Sequence, residues 1–176
     1  MNNSLDSIFH TFKNNMKSFM LILEDDFRET NELVQELKKY KPFKLDVRHA
    51  SPTQNALNIS VVISYARSFK NSRGFEKTKD LQSLLLTGFN SNERKLHKKI
   101  ISVRDTEFAH SDFKSIDIQV YENDFVTHSK KTIRQLLDKH EIEILIASIQ
   151  KIRKNIKTFS KDLDKIAICR LNSRSN

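Results

Sequence analysis

Two glycines, two prolines, a single cysteine and no tryptophan in 176 residues exclude several architectures at once. So few chain-breakers leave no supply of turns for a many-stranded sheet, and long uninterrupted helices become the expectation. With only Gly74 and Gly88, a glycine-rich phosphate loop cannot be built. Cys169 stands alone, which rules out an intrachain disulfide and any cysteine-based metal site and fits a reducing cytoplasm. Long apolar runs are missing too. The N-terminal MNNSLDSIFH has no basic start followed by an apolar stretch, and Phe19–Leu23 is far short of a membrane span. The expectation is a cytoplasmic protein that is neither exported nor anchored in a membrane.

What is present suits one domain, residues 1–176, with a real core. The chain is 38% hydrophobic with 12 Phe, and 30% charged, the composition of a globular protein rather than a disordered one. Thirty-one Lys and Arg against 22 Asp and Glu give a formal net charge of +9. That excess favours polyanionic partners such as RNA, DNA or an acidic protein, or else marks a solvated helical surface written with Lys.

Apolar periodicity divides the chain into helices. The first runs from about Leu5 to Lys39, with room for one break, on Ile8, Phe12, Phe19, Leu23, Phe27, Leu33 and Leu37. Pro42 and Pro52 bracket a connection. A second helix, capped by Ser51 or Thr53, is apolar over most of its surface through Leu57, Ile59, Val62, Ile63, Ala66 and Phe69, stops at Gly74, and so belongs in the centre of the bundle. A short helix, Lys77–Leu86, ends at Gly88, a suitable left-handed cap. Asn90, Ser91 and Asn92 introduce a fourth, Glu93–Ala109. The alternation Ile116, Ile118, Val120, then Phe125 and Val126, suits a short hairpin or an extended loop near residues 116–126. The last helix, Lys130–Cys169, carries an apolar stripe from Ile133 to Ile166 and a basic outer face of Lys151, Arg153, Lys154, Lys157, Lys161 and Lys165. Residues 172–176 form a frayed tail. The fold class expected is all-α, a single-domain antiparallel helical bundle.

Few constellations carry chemistry. Six histidines include no pair three or four apart on one helix and no HExxH, so neither a metal nor any other cofactor is expected. The acidic groups Glu24-Asp25-Asp26 and Asp162 with Asp164 read as solvated faces. What remains is Arg104 with His110. An imidazole moves protons near neutral pH and a guanidinium grips a phosphate, which together suffice to cut an RNA backbone without a metal, the 2′-hydroxyl attacking its own phosphate. An Arg followed by a His six positions on also occurs at Arg134 and His140. The first pair is preferred: Arg104 shares a stripe with Ile101 and Phe108 and His110 sits near a helix end that a ligand can reach, whereas Arg134 and His140 read as ordinary polar residues of an amphipathic helix. A six-residue step sets the two side chains roughly 120° apart and about 9 Å along the axis, so the site needs the long Arg to reach round, a distorted last turn, or a matching pair from a second protomer across a two-fold axis.

The run Arg104-Asp-Thr-Glu-Phe-Ala-His-Ser-Asp112 resembles the Arg…His motif of the HEPN superfamily, and most closely its AbiU-type branch of abortive-infection proteins. The preceding NISVVISYARSF is similar to the helix before that motif, so the likeness covers Ser102–Asp112 and, loosely, Thr53–Asp112. The resemblance implies a helical, metal-independent endoribonuclease with Arg104 and His110 as its catalytic pair. It further implies that Asp105, Ser111 and Asp112 assist, and that a homodimer sets two motifs around one RNA cleft. A toxin-antitoxin or phage-defence role with a neutralising antitoxin partner follows from the same likeness. Asp105 stands where the branch commonly has Asn, and Glu107 is spaced to pair with Arg104. The alternative is a non-catalytic helical binding or dimerisation module of the same shape. A basic DNA-binding protein is a third reading, without a helix-turn-helix pattern to carry it.

Overall fold

The computed structural model describes residues 2–45, 49–69, 79–105, 118–123, 126–131 and 136–172. Five helices and one hairpin appear among them: α1 (Asn2–Lys39), α2 (Pro52–Arg67), α3 (Lys79–Leu85), α4 (Ser91–Val103), β1 (Ile118–Asn123), β2 (Val126–Lys131) and α5 (Lys139–Asn172). The architecture is the expected all-α bundle with a small hairpin inserted.

With no Gly or Pro between residues 2 and 39, α1 runs unbroken for 38 residues, about 57 Å of helix. It packs against both α2 and α5. Both neighbours run antiparallel to it. Thr30 meets Ser64 hydroxyl to hydroxyl at 2.9 Å, and Arg67 donates to Asp26 at 2.9 Å. Along α5, Lys38 lies 3.7 Å from Glu143, Arg153 lies 2.8 Å from Glu24, and Lys13 lies 3.3 Å from Asp164. Phe12, placed by its spacing on the buried stripe, is 56% exposed.

Ser51 caps α2 by accepting from the Gln54 N–H at 3.1 Å, with Pro52 in the first turn where its missing donor costs nothing. The helix ends at Arg67, short of the expected stop at Gly74, which lies outside the described residues. As expected it is central: Val61, Val62, Tyr65 and Ala66 are buried, although Ile63 is 41% exposed. Phe27, Tyr65 and Phe69 meet edge to face or tilted, with ring centroids 5.1–6.1 Å apart. From α5 the core receives Ile142, Leu145, Ile149, Ile152 and Ile156, and from α4 Leu96 and Ile100.

Three further helices compare with their expected bounds as follows. Helix α3 ends at Leu85, and Gly88 takes φ +78 two residues after Leu86, the left-handed conformation that favours glycine. The regular part of α4 runs to Val103, and Arg104 and Asp105 continue it in a wider turn; the expected end at Ala109 lies outside the described residues. The largest correction concerns α5, which starts at Lys139 rather than Lys130. Residues 126–131 instead pair with β1, from Asn123 opposite Val126 to Ile118 opposite Lys131. The cause lies in Asp138, whose Oδ1 accepts from the Glu141 N–H at 2.7 Å while Glu141 Oε2 accepts from the Asp138 N–H at 3.2 Å. This reciprocal cap starts the helix there. The hairpin is therefore real but extends beyond residue 126. At its other end α5 runs to Asn172, three residues past the expected Cys169 and into the first residue of the expected frayed tail; residues 173–176 lie outside the described residues.

Candidate functional site

Helix α4 sets where Arg104 points, and its own position is determined at its start. Asn90 Oδ1 accepts from the Glu93 N–H at 2.9 Å, and Glu93 Oε2 accepts from the Asn90 N–H at 2.7 Å. The same buried Glu93 carboxylate takes Lys151 Nζ of α5 at 2.8 Å. Leu96 and Ile100 then turn into the core. The outcome is a helix whose rotation is held at both ends of its buried face.

Arg104 follows directly on α4. Its backbone remains helical at φ −58, ψ −46, and its N–H is shared between Ile100 O and Ile101 O, as is common at helix termini. Residues 104 and 105 form a wider turn than the helix before them. Turns of this kind inside helices frequently accompany functional sites. The guanidinium Nη1 donates to Asp105 Oδ1 at 3.0 Å, and the two side chains are 32% and 36% exposed. Its half-buried position is the one expected. The partner is Asp105, adjacent in sequence; Glu107, the partner suggested by spacing, lies outside the described residues.

His110, Ser111 and Asp112 also lie outside the described residues, so the structure brings together Arg104 and Asp105 and is silent on the other three. The competing pair loses its setting. Residues 136–138 are not helical and α5 begins at Lys139, so Arg134 and His140 do not share one continuous helix. His140 is exposed in the first turn of α5.

A second polar constellation was not expected. Tyr65, fully buried on α2, shares a 3.1 Å hydrogen bond with His97 Nδ1 on α4. The His97 ring stands edge to face against Phe69, with centroids 4.5 Å apart. Burial, helped by the cations of Arg94 and Lys98, lowers the His97 pKa to about 4; burial and the nearby Glu93 carboxylate raise that of Tyr65. His97 is therefore neutral at pH 7 and poorly placed to act as a general base there. It lies seven residues before Arg104, on the same stripe of α4 and about 10 Å along the axis. The sequence signal was its position between Leu96 and Ile100 on the buried face.

Two of the expected solvated acids are structural instead. Glu24 takes Arg153 across helices, and Asp26, 8% exposed, takes Arg67. Charged groups on facing helices selected one another, which spacing within one helix does not reveal. Asp25, by contrast, pairs with Arg28 on the exposed face. Among the described residues, no group of three or more His, Cys, Asp or Glu could hold a metal ion, and no helix is long and apolar enough to cross a membrane. Comparison of the chain with known protein families, with characterised proteins and with solved structures finds no match.

Proposed function

We propose that this protein is a HEPN-like, metal-independent endoribonuclease of the toxin-like, abortive-infection kind, acting on RNA as a homodimer. The observation that carries the reading is the state of Arg104. It is anchored at the end of a rotationally held helix, its guanidinium is one-third exposed, and only Nη1 is engaged among the described residues. The remaining N–H groups of the fork are available to a phosphate. Asp105 holds the fork in place from one side.

In the proposed reaction, the 2′-oxygen of the RNA attacks the adjacent phosphorus while His110 accepts its proton. Arg104 stabilises the charge that builds on the non-bridging oxygens. The bond to the 5′-oxygen breaks, that oxygen takes up a proton, and the products end in a 2′,3′-cyclic phosphate and a 5′-hydroxyl. Ser111 and Asp112 assist His110, and a neutralising antitoxin covers the site until release.

The test is expression of the wild type, His110→Ala and Arg104→Ala in bacteria, with growth and RNA integrity compared. The wild type should slow growth and fragment RNA, and both variants should lose at least two orders of magnitude in cleavage. A purified sample should cut RNA in excess chelator but spare a substrate with 2′-deoxyribose at the cleaved position. The second reading, a non-catalytic binding or dimerisation module, is favoured by the 3.0 Å pairing of Arg104 with Asp105, which also suits a structural role. Equal growth and intact RNA for all three proteins would select it.

A further inference from the structure

The six bases on the outer face of α5 do not act alike. Lys151 Nζ donates to Glu93 at 2.8 Å and to Gly88 O at 3.2 Å, and Arg153 donates twice to Glu24 Oε1, at 2.9 and 2.8 Å. Those two tie α5 to α4 and α1. The other four, Lys154, Lys157, Lys161 and Lys165, follow one another at steps of three, four and four residues and are all exposed. At such steps they form a single stripe, about 4.5–6 Å apart and about 16 Å in all. Lys154 and Lys161 make no ion pair among the described residues. Lys157 approaches Glu24 only to 3.8 Å, where Arg153 is already seated, and Lys165 pairs with its exposed neighbour Asp162.

We infer that the stripe Lys154–Lys157–Lys161–Lys165 docks the phosphate backbone of helical RNA, an inference that rests on the RNA-directed reading above. Like charges at helical spacing cost a few tenths of a kcal/mol per pair, so folding does not account for the row. At about 16 Å its length covers several successive phosphates of one strand. The chemistry is lysine alone. Lysines neutralise phosphates as point charges without reading bases. Phe159, the one Phe, Tyr or Trp of α5, packs against the core, so the stripe's own helix offers no ring for the base stacking that holds single strands. A lipid surface fits less well. The exposed large hydrophobics among the described residues are Phe12, Leu21, Ile22, Leu45 and Ile63, none of them on α5, and interfacial helices need apolar residues to insert.

The test uses the full-length chain and a labelled 2′-O-methylated RNA duplex, which keeps the backbone but has no attacking hydroxyl. Binding is measured from low to physiological salt. Lys154→Gln with Lys161→Gln should weaken binding roughly tenfold and reduce the slope of log affinity against log salt by about 2. Lys95→Gln with Lys98→Gln, an equal charge change on the exposed face of α4, should stay within about twofold. No measurable wild-type binding, equal losses in the two variants, or tighter binding to phosphatidylserine vesicles than to the duplex would each overturn the inference. Its failure is distinct from failure of the nuclease reading. Lysine variants that bind normally while His110→Ala abolishes cleavage remove the stripe and keep the enzyme; the converse pattern removes the enzyme and keeps the stripe.

Discussion

His97 is the residue whose chemistry the fold alters most. Its imidazole is held against Tyr65 and Phe69, and its pKa falls from 6.5 to about 4. The unfolded chain therefore binds a proton between these pH values that the folded chain refuses. Stability must rise with pH across that window and fall as pH drops below 6.5. Allowing for a ring partly open to solvent, acidification from pH 7 to 5 should cost the wild type about 1 kcal/mol more than His97→Gln, which has no such proton to bind. Urea unfolding at the two pH values measures this directly. Parallel losses in the two proteins would mean that His97 titrates as an ordinary exposed histidine. The carboxylates of Asp25 and Asp164, held low chiefly by hydrogen bonds from Arg28 and Lys17, titrate below this window and leave the comparison clean.

At the level of elements, caps decide more than propensity. Helix α4 has 13 residues, a length at which an isolated helix is marginal in water. Its start rests on the reciprocal bonds of Asn90 and Glu93, and Lys151 fastens the same carboxylate to α5. Asn90→Ala should lower the unfolding free energy by about 1 kcal/mol with an unchanged denaturant slope, and Asn90→Asp should restore most of it. Hydrogen exchange should speed up first in residues 91–95. If Asn90→Ala exchanges like the wild type there, the cap is not what holds α4. This part of the fold was legible: Asn90, Ser51 and Gly88 were all read as boundary residues from their chemistry, and each serves as one. Asp138 with Glu141 is the same signal. The stretch Ile133, Leu136 and Leu137 masked it by continuing the apolar stripe upstream. Leu136 and Leu137 are indeed buried, but in chain that precedes the helix, so burial and periodicity coincided without a common helix.

Across the whole molecule, the sequence told which residues face inward better than which charges meet. Periodicity found most of the buried rows of α1 and α5, Phe12 apart, because a single helix contains that information, whereas α2 read as apolar nearly all round and in fact exposes Ile63 and buries the polar Gln54 and Asn58. The pairings of Glu24 with Arg153, Asp26 with Arg67 and Glu93 with Lys151 depend on how helices pack, which no local window records. Arg104 was legible as a half-buried cation at the end of a helix, and its bond to Asp105 was not, since neighbours in sequence do not face each other on a regular helix. The same sorting of charges makes a claim about stability. With a net charge of +9, the folded chain repels itself at low salt, and Lys154 and Lys161 of α5, which make no ion pair among the described residues, add to that cost. Lys154→Gln with Lys161→Gln should therefore leave the unfolding free energy equal to that of the wild type, or raise it by a few tenths of a kcal/mol at low ionic strength. The difference should vanish in high salt, where the repulsion is screened in both proteins. A variant that is instead less stable by more than about 0.5 kcal/mol at every salt concentration would place these two lysines among the contacts that hold the bundle. Lys151→Gln gives the comparison: it leaves the buried Glu93 carboxylate without its cation, and its cost should be about 1–3 kcal/mol and persist in salt.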